Sequence, residues 1–370
     1  MIDPRGDSAP QPASALGLLR PSYDYAVSVI VVSFNTRDLL RECLTSLRDE
    51  CARLPEAGVH ADRSSSVGPE GSAAEILVVD NASRDGSADM TAAEFFGSGV
   101  PVRLIRSEAN LGFGVANNRA IEAAQGRYLV LLNSDAFFHP GALARALAHM
   151  EADPSAGIGG ARLVGRDGAW QPSAHSYHSI LRNAFILTGL ASRFPRSRIF
   201  AAGQRTWADP LEPAEVDWVT GAFMILRREA LKKTGLFDPA FFLYYEEADL
   251  CRRVKAAGFR VLYWPDIAVT HLHGESSRKV SEHIFSENET QVVLWRMRST
   301  FLYYRKHHGA KAWLARRLEE SLYTLRFLRN RFSPTPARRA RAREAMLLLS
   351  LLRRAWKETQ GGRISPPTPW

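Results

Sequence analysis

The sequence predicts an α/β protein in which helices cover both faces of a mostly parallel sheet. Short apolar runs rich in β-branched residues recur through the first 140 residues, and segments with helical periodicity separate them. Polar residues follow several of these runs directly. Buried parallel strands have such near-continuous apolar runs, and their alternation with helices at this spacing is typical of a parallel sheet built from βαβ units.

The first half of the chain alternates regularly between strands and helices. Residues 27–32 (VSVIVV) predict a buried strand, and the leucine-rich segment after them predicts a helix with one apolar face. Further strands are predicted at residues 76–79, 102–105 and 128–132. A Gly-, Ser- and Pro-rich stretch at 55–74 predicts a flexible surface insertion.

Beyond residue 150 the alternation is looser. Residues 216–226 predict a strand and a loop, and residues 228–233 predict a short helix. Two strands are predicted at 261–263 and 267–270, separated by Trp264 and Pro265, and the chain past 280 has a helical pattern. We therefore expect a flexible tail at 1–24, a main domain at 25–277, a basic helical segment at 278–357 and a second tail at 358–370.

Composition limits the class of protein. The chain has 370 residues, 45% of them hydrophobic, which suffices for one large domain or two. Its three cysteines, Cys43, Cys51 and Cys251, form neither a disulfide framework nor a metal-ligand pattern. No secretory signal is recognisable, and no run reaches the ~18 apolar residues of a membrane-spanning helix. We expect a cytoplasmic protein, either free or peripheral on the inner face of the membrane.

The positive charge is concentrated near the C-terminus. The chain has 48 Lys and Arg against 39 Asp and Glu, and residues 301–357 contain 15 of the basic residues but only 3 of the acidic ones. This segment predicts either amphipathic helices that meet anionic lipid or a helical subdomain that packs its leucines on the main domain. The sequence leaves both alternatives open. No nucleic-acid-binding motif accompanies the charge, so we expect no nucleic-acid partner.

Polar residues leave three of the predicted strands at the same end of the sheet. Asn35, Asp80 and Asp135 follow these strands, where open α/β sheets bind ligands. A carboxylate such as that of Asp135 suits Mg²⁺ together with substrate phosphates, although it would equally suit a helix or turn cap. The Gly-Phe-Gly at 112–114 resembles a phosphate-binding loop, but such glycines also permit close helix packing.

Several motifs in a fixed order resemble the family 2 glycosyltransferases, in particular their bacterial rhamnosyltransferase-like branch. The motifs are SVIVVSFN (28–35), EILVVDNASRDGS (75–87), NLGFGVANN (110–118), LLNSD (131–135), GIGGARLVGRDGAWQPS (157–173), YYEEADLCRR (244–253) and HLHGES (271–276).

The resemblance implies a GT-A fold with a nucleotide-binding half at 25–150 and an acceptor-binding half at 151–277. It implies an inverting transfer from a nucleoside-diphosphate sugar, with dTDP-L-rhamnose as the expected donor, assisted by Mg²⁺ or Mn²⁺. It also implies a glycan or polyprenyl-linked acceptor in cell-surface polysaccharide synthesis. The sequence specifies neither the linkage nor the oligomeric state.

The resemblance also assigns candidate metal and catalytic residues. Asp135 corresponds to the last acid of the family's metal motif, and His271 to a second metal ligand, with His273 as a competitor. Asn133 stands where the first acid usually is. Glu246 and Glu247 correspond to the family's acidic pair, whose second member is the general base. Like charges side by side raise one pKa, which suits a base, although an acidic helix start is the alternative.

The remaining candidates divide between the nucleotide and the acceptor. The expected nucleotide-binding residues are Ser33, Asn35, Asp80, Asn110, Asn117 and Asn133. The expected acceptor-side residues are Trp218, Gly221, Tyr244 and Asp249, the last of which can also serve to hold the base loop. Asn133 and the Glu at position 247 depart from the family pattern, so a catalytically silent glycan- or nucleotide-sugar-binding module is the alternative function.

Overall fold

The computed structural model describes residues 23–54, 72–97, 99–272 and 287–366. Nearly all of the predicted N-terminal tail, most of the 55–74 insertion and His273 lie outside the described residues. The strands are β1 (Tyr25–Ser33), β2 (Ala74–Asp80), β3 (Val102–Arg106), β4 (Gly126–Asn133), β5 (Ala136–Phe138), β6 (Ala156–Val164), β7 (Trp170–Gln171), β8 (Ala174–His175), β9 (Ala214–Glu215), β10 (Trp218–Val219), β11 (Phe223–Arg227) and β12 (Arg260–His271). The helices are α1 (Arg37–Ala52), α2 (Ser87–Phe95), α3 (Phe113–Ala123), α4 (Ala142–Ala152), α5 (Ile180–Leu187), α6 (Leu190–Arg193), α7 (Arg228–Thr234), α8 (Glu246–Ala256), α9 (Glu287–His308), α10 (Ala312–Asn330) and α11 (Pro336–Glu358).

The main sheet has the strand order β3-β2-β1-β4-β11-β6-β12-β5, with β7 beside β6 and β9 beside β12. Strands β3, β2, β1 and β4 are parallel to one another, and β12 is parallel to β6. Strand β11 runs antiparallel between β4 and β6 and joins the two halves of the sheet. The predicted α/β class with a mostly parallel sheet is confirmed.

Apolar side chains alternate between two layers of helices. Val29 and Val31 of β1 pack on the side of α1 and α4, whereas Ile30 packs on the side of α3 and α8. Both faces of the sheet are thereby buried, as a parallel sheet requires. Cys43 on α1 and Cys251 on α8 are free thiols inside these two cores.

Two features of the second half differ from the predicted elements. The glycine-rich segment 157–160 lies within β6, where a Cβ on Gly159 would come within 1.8 Å of the Trp264 ring. The two strands predicted around Trp264 and Pro265 form the single strand β12, whose pairing with β6 shifts register between Trp264 and Ala268.

The C-terminal segment is helical, and its helices pack on one another and on the main sheet domain. Leu294, Phe301 and Leu352 belong to a core shared by α9, α10 and α11. Helix α9 also contacts the 241–248 segment through Leu302 and Tyr303. After α11 the chain turns back, and Thr359 is fully buried there. Within the described ranges, every helix is too short or too polar to traverse a bilayer.

Candidate active site

The carboxyl ends of β1, β2 and β4 bring the first group of predicted residues together. Ser33 pairs in register with Asp80, and Val32 pairs with Asn133. The chain leaves β1 through Asn35, which has a left-handed φ of 55°. Its side-chain oxygen accepts a hydrogen bond from the Arg84 amide at 2.8 Å, so the loops after β1 and β2 are joined at this edge.

Only one of the two carboxylate oxygens of Asp80 has a hydrogen-bond partner among the described residues. Its Oδ2 accepts a hydrogen bond from the Ser83 amide at 3.2 Å. Its Oδ1 is buried and has no hydrogen-bond partner among the described residues. A buried acceptor without a donor is costly, so this oxygen is suited to a ligand that brings an N–H or O–H group.

The two predicted asparagines make contacts within the protein. Asn110 accepts hydrogen bonds from the Asn81 side chain and from the Gly112 amide, both at 2.9 Å. Asn117 donates to the carbonyl of Phe113, one helical turn earlier, at 2.9 Å. These bonds shape the 110–118 loop and the start of α3. A nucleotide-binding role for Asn110 and Asn117 stays a prediction.

The glycines of the Gly-Phe-Gly loop allow a close approach between two backbones. Gly112 has a φ of 77°, and a Cβ there would meet the carbonyl oxygen of Phe242 at 2.1 Å. The Phe113 amide donates to that same oxygen at 2.9 Å. A Cβ on Gly114 would lie 3.6 Å from the Cβ of Glu246. The loop is thus packed against the segment that carries the acidic pair.

Asp135 and His271 lie side by side where β4 and β12 end. The Asp135 Oδ1 is 3.5 Å from the His271 Nε2, and the Asn133 Nδ2 is 3.4 Å from the same nitrogen. Gln171 orients the imidazole, since its Nε2 donates to the His271 carbonyl at 2.9 Å and its Oε1 is 3.1 Å from Nδ1. An amide oxygen there makes Nδ1 the protonated nitrogen, so the lone pair of Nε2 faces Asp135.

This donor set fits a divalent cation. A carboxylate oxygen, an imidazole nitrogen and the amide oxygen that Asn133 can present are ligands that Mg²⁺ or Mn²⁺ accepts. The hydrogen bond from His271 to Gln171 is the usual outer support of a metal-binding histidine. Among the described residues, no cluster contains three or more His, Cys, Asp or Glu side chains placed to hold a metal ion. Such a site would therefore depend on the nucleotide for its remaining ligands.

Glu246 and Glu247 begin helix α8. The side chain of Glu246 is buried and that of Glu247 is half-buried. One carboxyl oxygen of each, Oε2, is buried without a hydrogen-bond partner among the described residues. Burial raises the pKa of Glu247 to about 7. Burial, and then the neighbouring charge of Glu247, raise the pKa of Glu246 well above its ordinary value.

The backbone before the acidic pair is strained. Tyr244 and Tyr245 have φ values of 67° and 71°, a left-handed conformation that costs non-glycine residues ~1–3 kcal/mol each. Helix α9 holds this segment, since the Ser299 hydroxyl donates to the Leu243 carbonyl at 2.7 Å. The strain fixes the direction in which the two carboxylates enter the site.

The predicted acceptor-side residues lie near this segment. Trp218 stacks on His175, with 4.2 Å between ring centroids, and its indole N–H donates to the Ser176 carbonyl at 3.1 Å. Tyr244 is 38% exposed and offers an open ring face. Gly221 has no space for a side chain, because a Cβ would come within 2.9 Å of the Phe113 ring.

Asp249 is fully buried among positive groups. Its carboxylate lies 2.9 Å from Arg253 Nε, 2.7 Å from Lys306 Nζ and 2.7 Å from His307 Nε2. The His307 hydrogen bond and the cations beside it hold the Asp249 pKa well below its usual range. These contacts connect α8 to α9. Asp249 is therefore placed to hold the segment that carries the acidic pair.

Sequence reasoning gave no role to several residues that support this site. Gln171 is part of a quoted motif, yet only the structure shows it holding His271. Ser299 and His307 belong to a segment that looked separate from the main domain. The sequence around a single polar residue in a long basic helix does not indicate that it contacts a residue more than fifty positions earlier.

The fold is an α/β sheet covered by helices, and its carboxyl edge gathers polar side chains where open α/β sheets bind ligands. The model of Glycosyl transferase family 2 matches residues 28–235, more than half of the sequence, and the chain belongs to that family.

The similar proteins include bacterial rhamnosyltransferases. N-acetylglucosaminyl-diphospho-decaprenol L-rhamnosyltransferase of Mycobacterium tuberculosis (strain H37Rv) is 29% identical over 232 residues, which cover 59% of this chain and 73% of the relative. Rhamnosyltransferase WbbL of Escherichia coli K12 is 33% identical over 88 residues, 24% of this chain and 30% of the relative. A solved structure of the mannosyltransferase PcManGT from Pyrobaculum calidifontis, in complex with GDP-Man and Mn²⁺, has a TM-score of 0.49 at 17% identity over 93% of each chain.

Proposed function

We propose that this glycosyltransferase moves L-rhamnose from dTDP-L-rhamnose to a glycan or polyprenyl-linked acceptor, with inversion and with help from Mg²⁺ or Mn²⁺. The observation that carries the transfer chemistry is the acidic pair at the start of α8. Two carboxyl groups share one partly buried environment, and burial raises the pKa of both. A raised carboxyl pKa suits a general base that works near neutral pH.

In this proposal Glu247 is the general base. With a pKa of about 7, a substantial fraction of Glu247 is ionised at neutral pH. The buried Glu246 beside it also has a raised pKa, because burial and the charge of Glu247 disfavour its ionised form. Glu247 removes the proton of the acceptor hydroxyl as the oxygen attacks the anomeric carbon. The bond from that carbon to the nucleoside diphosphate breaks on the opposite face, so the configuration inverts.

The nucleotide and metal roles follow from the carboxyl edge of the sheet. Asp80 Oδ1 would accept a hydrogen bond from the base or ribose, with Ser33 and Asn35 beside it. Asp135 and His271, together with Asn133, would hold the cation. When bound, the cation would stabilise the negative charge that develops on the departing diphosphate. Trp218 and Tyr244 would offer aromatic surface to the acceptor, while Gly221 would keep Phe113 close.

Support for the donor and the acceptor comes from relatives. The mycobacterial relative is named as an L-rhamnosyltransferase of a diphospho-decaprenol-linked N-acetylglucosamine. Putative teichuronic acid biosynthesis glycosyltransferase TuaG of Bacillus subtilis, 28% identical over 192 residues, is named for a cell-wall polymer. These names favour a lipid-linked glycan acceptor and a place in cell-surface polysaccharide synthesis.

The direct test is donor turnover across a panel of nucleotide sugars with Mg²⁺, with Mn²⁺ and with EDTA. We expect release of dTDP from dTDP-L-rhamnose, increased by a lipid-linked acceptor and abolished by EDTA. Release of a different nucleoside diphosphate would contradict the proposed donor. Full turnover in EDTA would contradict Asp135 and His271 as metal ligands.

A silent binding module is the second candidate, because Asn133 occupies the position of an acid in the family's metal motif. Glu247→Gln separates the two functions. An enzyme loses turnover in this variant while it still binds the donor. A binding module shows no turnover in either form and binds the nucleotide sugar equally.

We further propose that the cytoplasmic protein meets the inner face of the membrane through the C-terminal helices. Leu325 and Leu328 are 62% and 48% exposed, and their i, i+3 spacing places them on one face of α10. Phe332, 82% exposed, follows in the turn directly after that helix. Arg329 lies among them and would meet anionic headgroups. Co-sedimentation with phosphatidylglycerol vesicles should fall when the three apolar residues are changed to serine. Leu211→Ser, equally exposed on a loop, is the matched control.

A further inference from the structure

A second cavity, of about 200 Å³, opens in the acceptor half of the protein. None of the residues assigned to the nucleotide, the metal or the acidic pair lines it. Its walls combine aromatic rings with guanidinium groups, contributed by Trp170, Trp207, Tyr263, Arg198 and Arg205.

The two guanidinium groups have no counter-ion of their own. Arg198 and Arg205 lie against the Trp207 ring, 4.8 and 5.2 Å from its centroid. In the described part of the chain, neither guanidinium group forms an ion pair or a hydrogen bond. Burial lowers the pKa of Arg205, whose backbone also has a left-handed φ of 52°. A partly desolvated cation without a partner is costly unless a ligand supplies the opposite charge.

The nearby carboxylates are engaged elsewhere. Asp209 Oδ1 accepts a hydrogen bond from the Leu211 amide at 2.8 Å, and Glu212 is exposed at the rim. Asp217 offsets part of the Arg205 charge. Its oxygens, however, accept from the Tyr177 amide at 2.9 Å and from a lysine ammonium at 3.4 Å. Asp209 and Glu212 give the lining as many carboxylates as guanidinium groups. In the described part of the chain, however, no carboxylate forms an ion pair with Arg198 or Arg205, so both guanidinium groups keep their donors available.

We propose that this cavity binds an oxyanion, a phosphate or carboxylate group, carried by a saccharide. Guanidinium groups bind such anions through paired, charge-assisted hydrogen bonds. The aromatic walls suit the apolar face of a sugar ring. The volume is below the ~300–1,000 Å³ of pockets for drug-sized ligands, which matches a single sugar unit.

The position of the cavity suggests which saccharide this is. Trp170 and Gln171 are consecutive residues of β7, so the cavity begins one residue away from the contact with His271, although on the other side of this short strand. Trp170 lines the cavity, whereas Gln171 reaches His271. An acceptor that extends from the active site could place its charged unit here. That the saccharide is the acceptor rests on the proposed function, whereas the oxyanion site itself does not.

The test is isothermal titration of the full chain with inorganic phosphate, D-glucuronate and methyl glucoside. We expect saturable binding of phosphate or glucuronate and none of the neutral glucoside, and the anion that binds identifies the group. Arg198→Gln and Arg205→Gln should each weaken binding at least tenfold. Arg196→Gln is the matched control, since Arg196 is exposed and does not line the cavity.

Three results would overturn the proposal. Binding unchanged in both Arg198→Gln and Arg205→Gln would place the anion elsewhere, as would equal weakening by Arg196→Gln. Equal binding of methyl glucoside would define a neutral sugar site. Because Arg198 is exposed, its variant should fold even if that of Arg205 does not. The titration needs neither donor nor turnover, so its failure is distinct from a failure of the transferase proposal.

Discussion

Replacing Glu247 by Gln should inactivate the enzyme and make the protein more stable at alkaline pH. Burial raises the pKa of Glu247 from 4.5 to about 7 in the folded chain. The folded state therefore holds this proton more tightly than the unfolded state does. The resulting stability is fully present below pH ~4.5 and is lost as the pH rises through 7.

The size of this effect follows from the change in ionisation. At about 1.4 kcal/mol for each unit of pKa, a pKa raised from 4.5 to about 7 corresponds to roughly 3–4 kcal/mol. Glu247→Gln removes this cost and also removes the charge that helps to raise the pKa of Glu246. Above pH 8 the variant should be more stable by up to that amount, whereas at pH 4.5 the two proteins should be equal.

The assay is urea unfolding of wild type, Glu247→Gln and the exposed control Glu108→Gln between pH 4.5 and 8.5. Wild-type kcat/KM should rise with pH around an apparent pKa near 7, and turnover should fall about 10²- to 10⁴-fold in Glu247→Gln. If the difference in free energy of unfolding between Glu247→Gln and wild type stays constant over the whole pH range, Glu247 is not a desolvated carboxylate. The assignment of Glu247 as the base then loses its physical basis.

Three further changes test the support of the site. Gln171→Leu removes the acceptor that orients His271, and it should raise the Mn²⁺ concentration needed for half-maximal activity about 10- to 100-fold, with unchanged nucleotide binding in EDTA. Gly112→Ala places a Cβ 2.1 Å from the Phe242 carbonyl oxygen, and urea unfolding should show a free energy of unfolding lower by more than about 2 kcal/mol. Gly97→Ala is the control, since Gly97 also has a positive φ but a Cβ there meets no other atom, so the loss of stability should be smaller. A chain that ends after residue 286 loses Lys306 and His307, two of the side chains that hold the Asp249 carboxylate. Circular dichroism should then show a lower melting temperature, part of which Asp249→Asn restores, because a buried carboxylate without partners is costly. If Asp249→Asn restores none of it, the buried charge is not the cause.

The sheet and its functional edge could be predicted because local signals agree with the global fold there. The run at 27–32 lies within β1, and the polar residues after it follow a buried strand whose direction is fixed by its parallel neighbours. Ser33 and Asp80 are therefore adjacent, as the sequence pattern implies. The apolar pattern of the strands and the positions where they end are enough to place Ser33 and Asp80 at the carboxyl edge of the sheet.

Other parts depend on contacts that no local pattern encodes. Glycines are depleted in strands, so β6 was not predicted, although Gly159 is needed there to admit the Trp264 ring. Pro265 suggested a break between two strands, whereas a shift of register accommodates it within β12. The side chain of Gln171 meets His271 from a hundred residues away, which only the folded chain reveals.

The C-terminal helices are best understood as part of the support for the acidic pair. Lys306 and His307 on α9 neutralise Asp249 inside α8, and breaking a buried ion pair costs ~3–5 kcal/mol. Ser299 on the same helix bonds the segment in which Tyr244 and its neighbour hold a strained backbone. The strain and the buried charge both oppose folding unless α9 is in place. Part of the basic excess of this segment therefore serves the geometry of the active site, and several of its other arginines pair with Glu320 and Glu358 of the same helices.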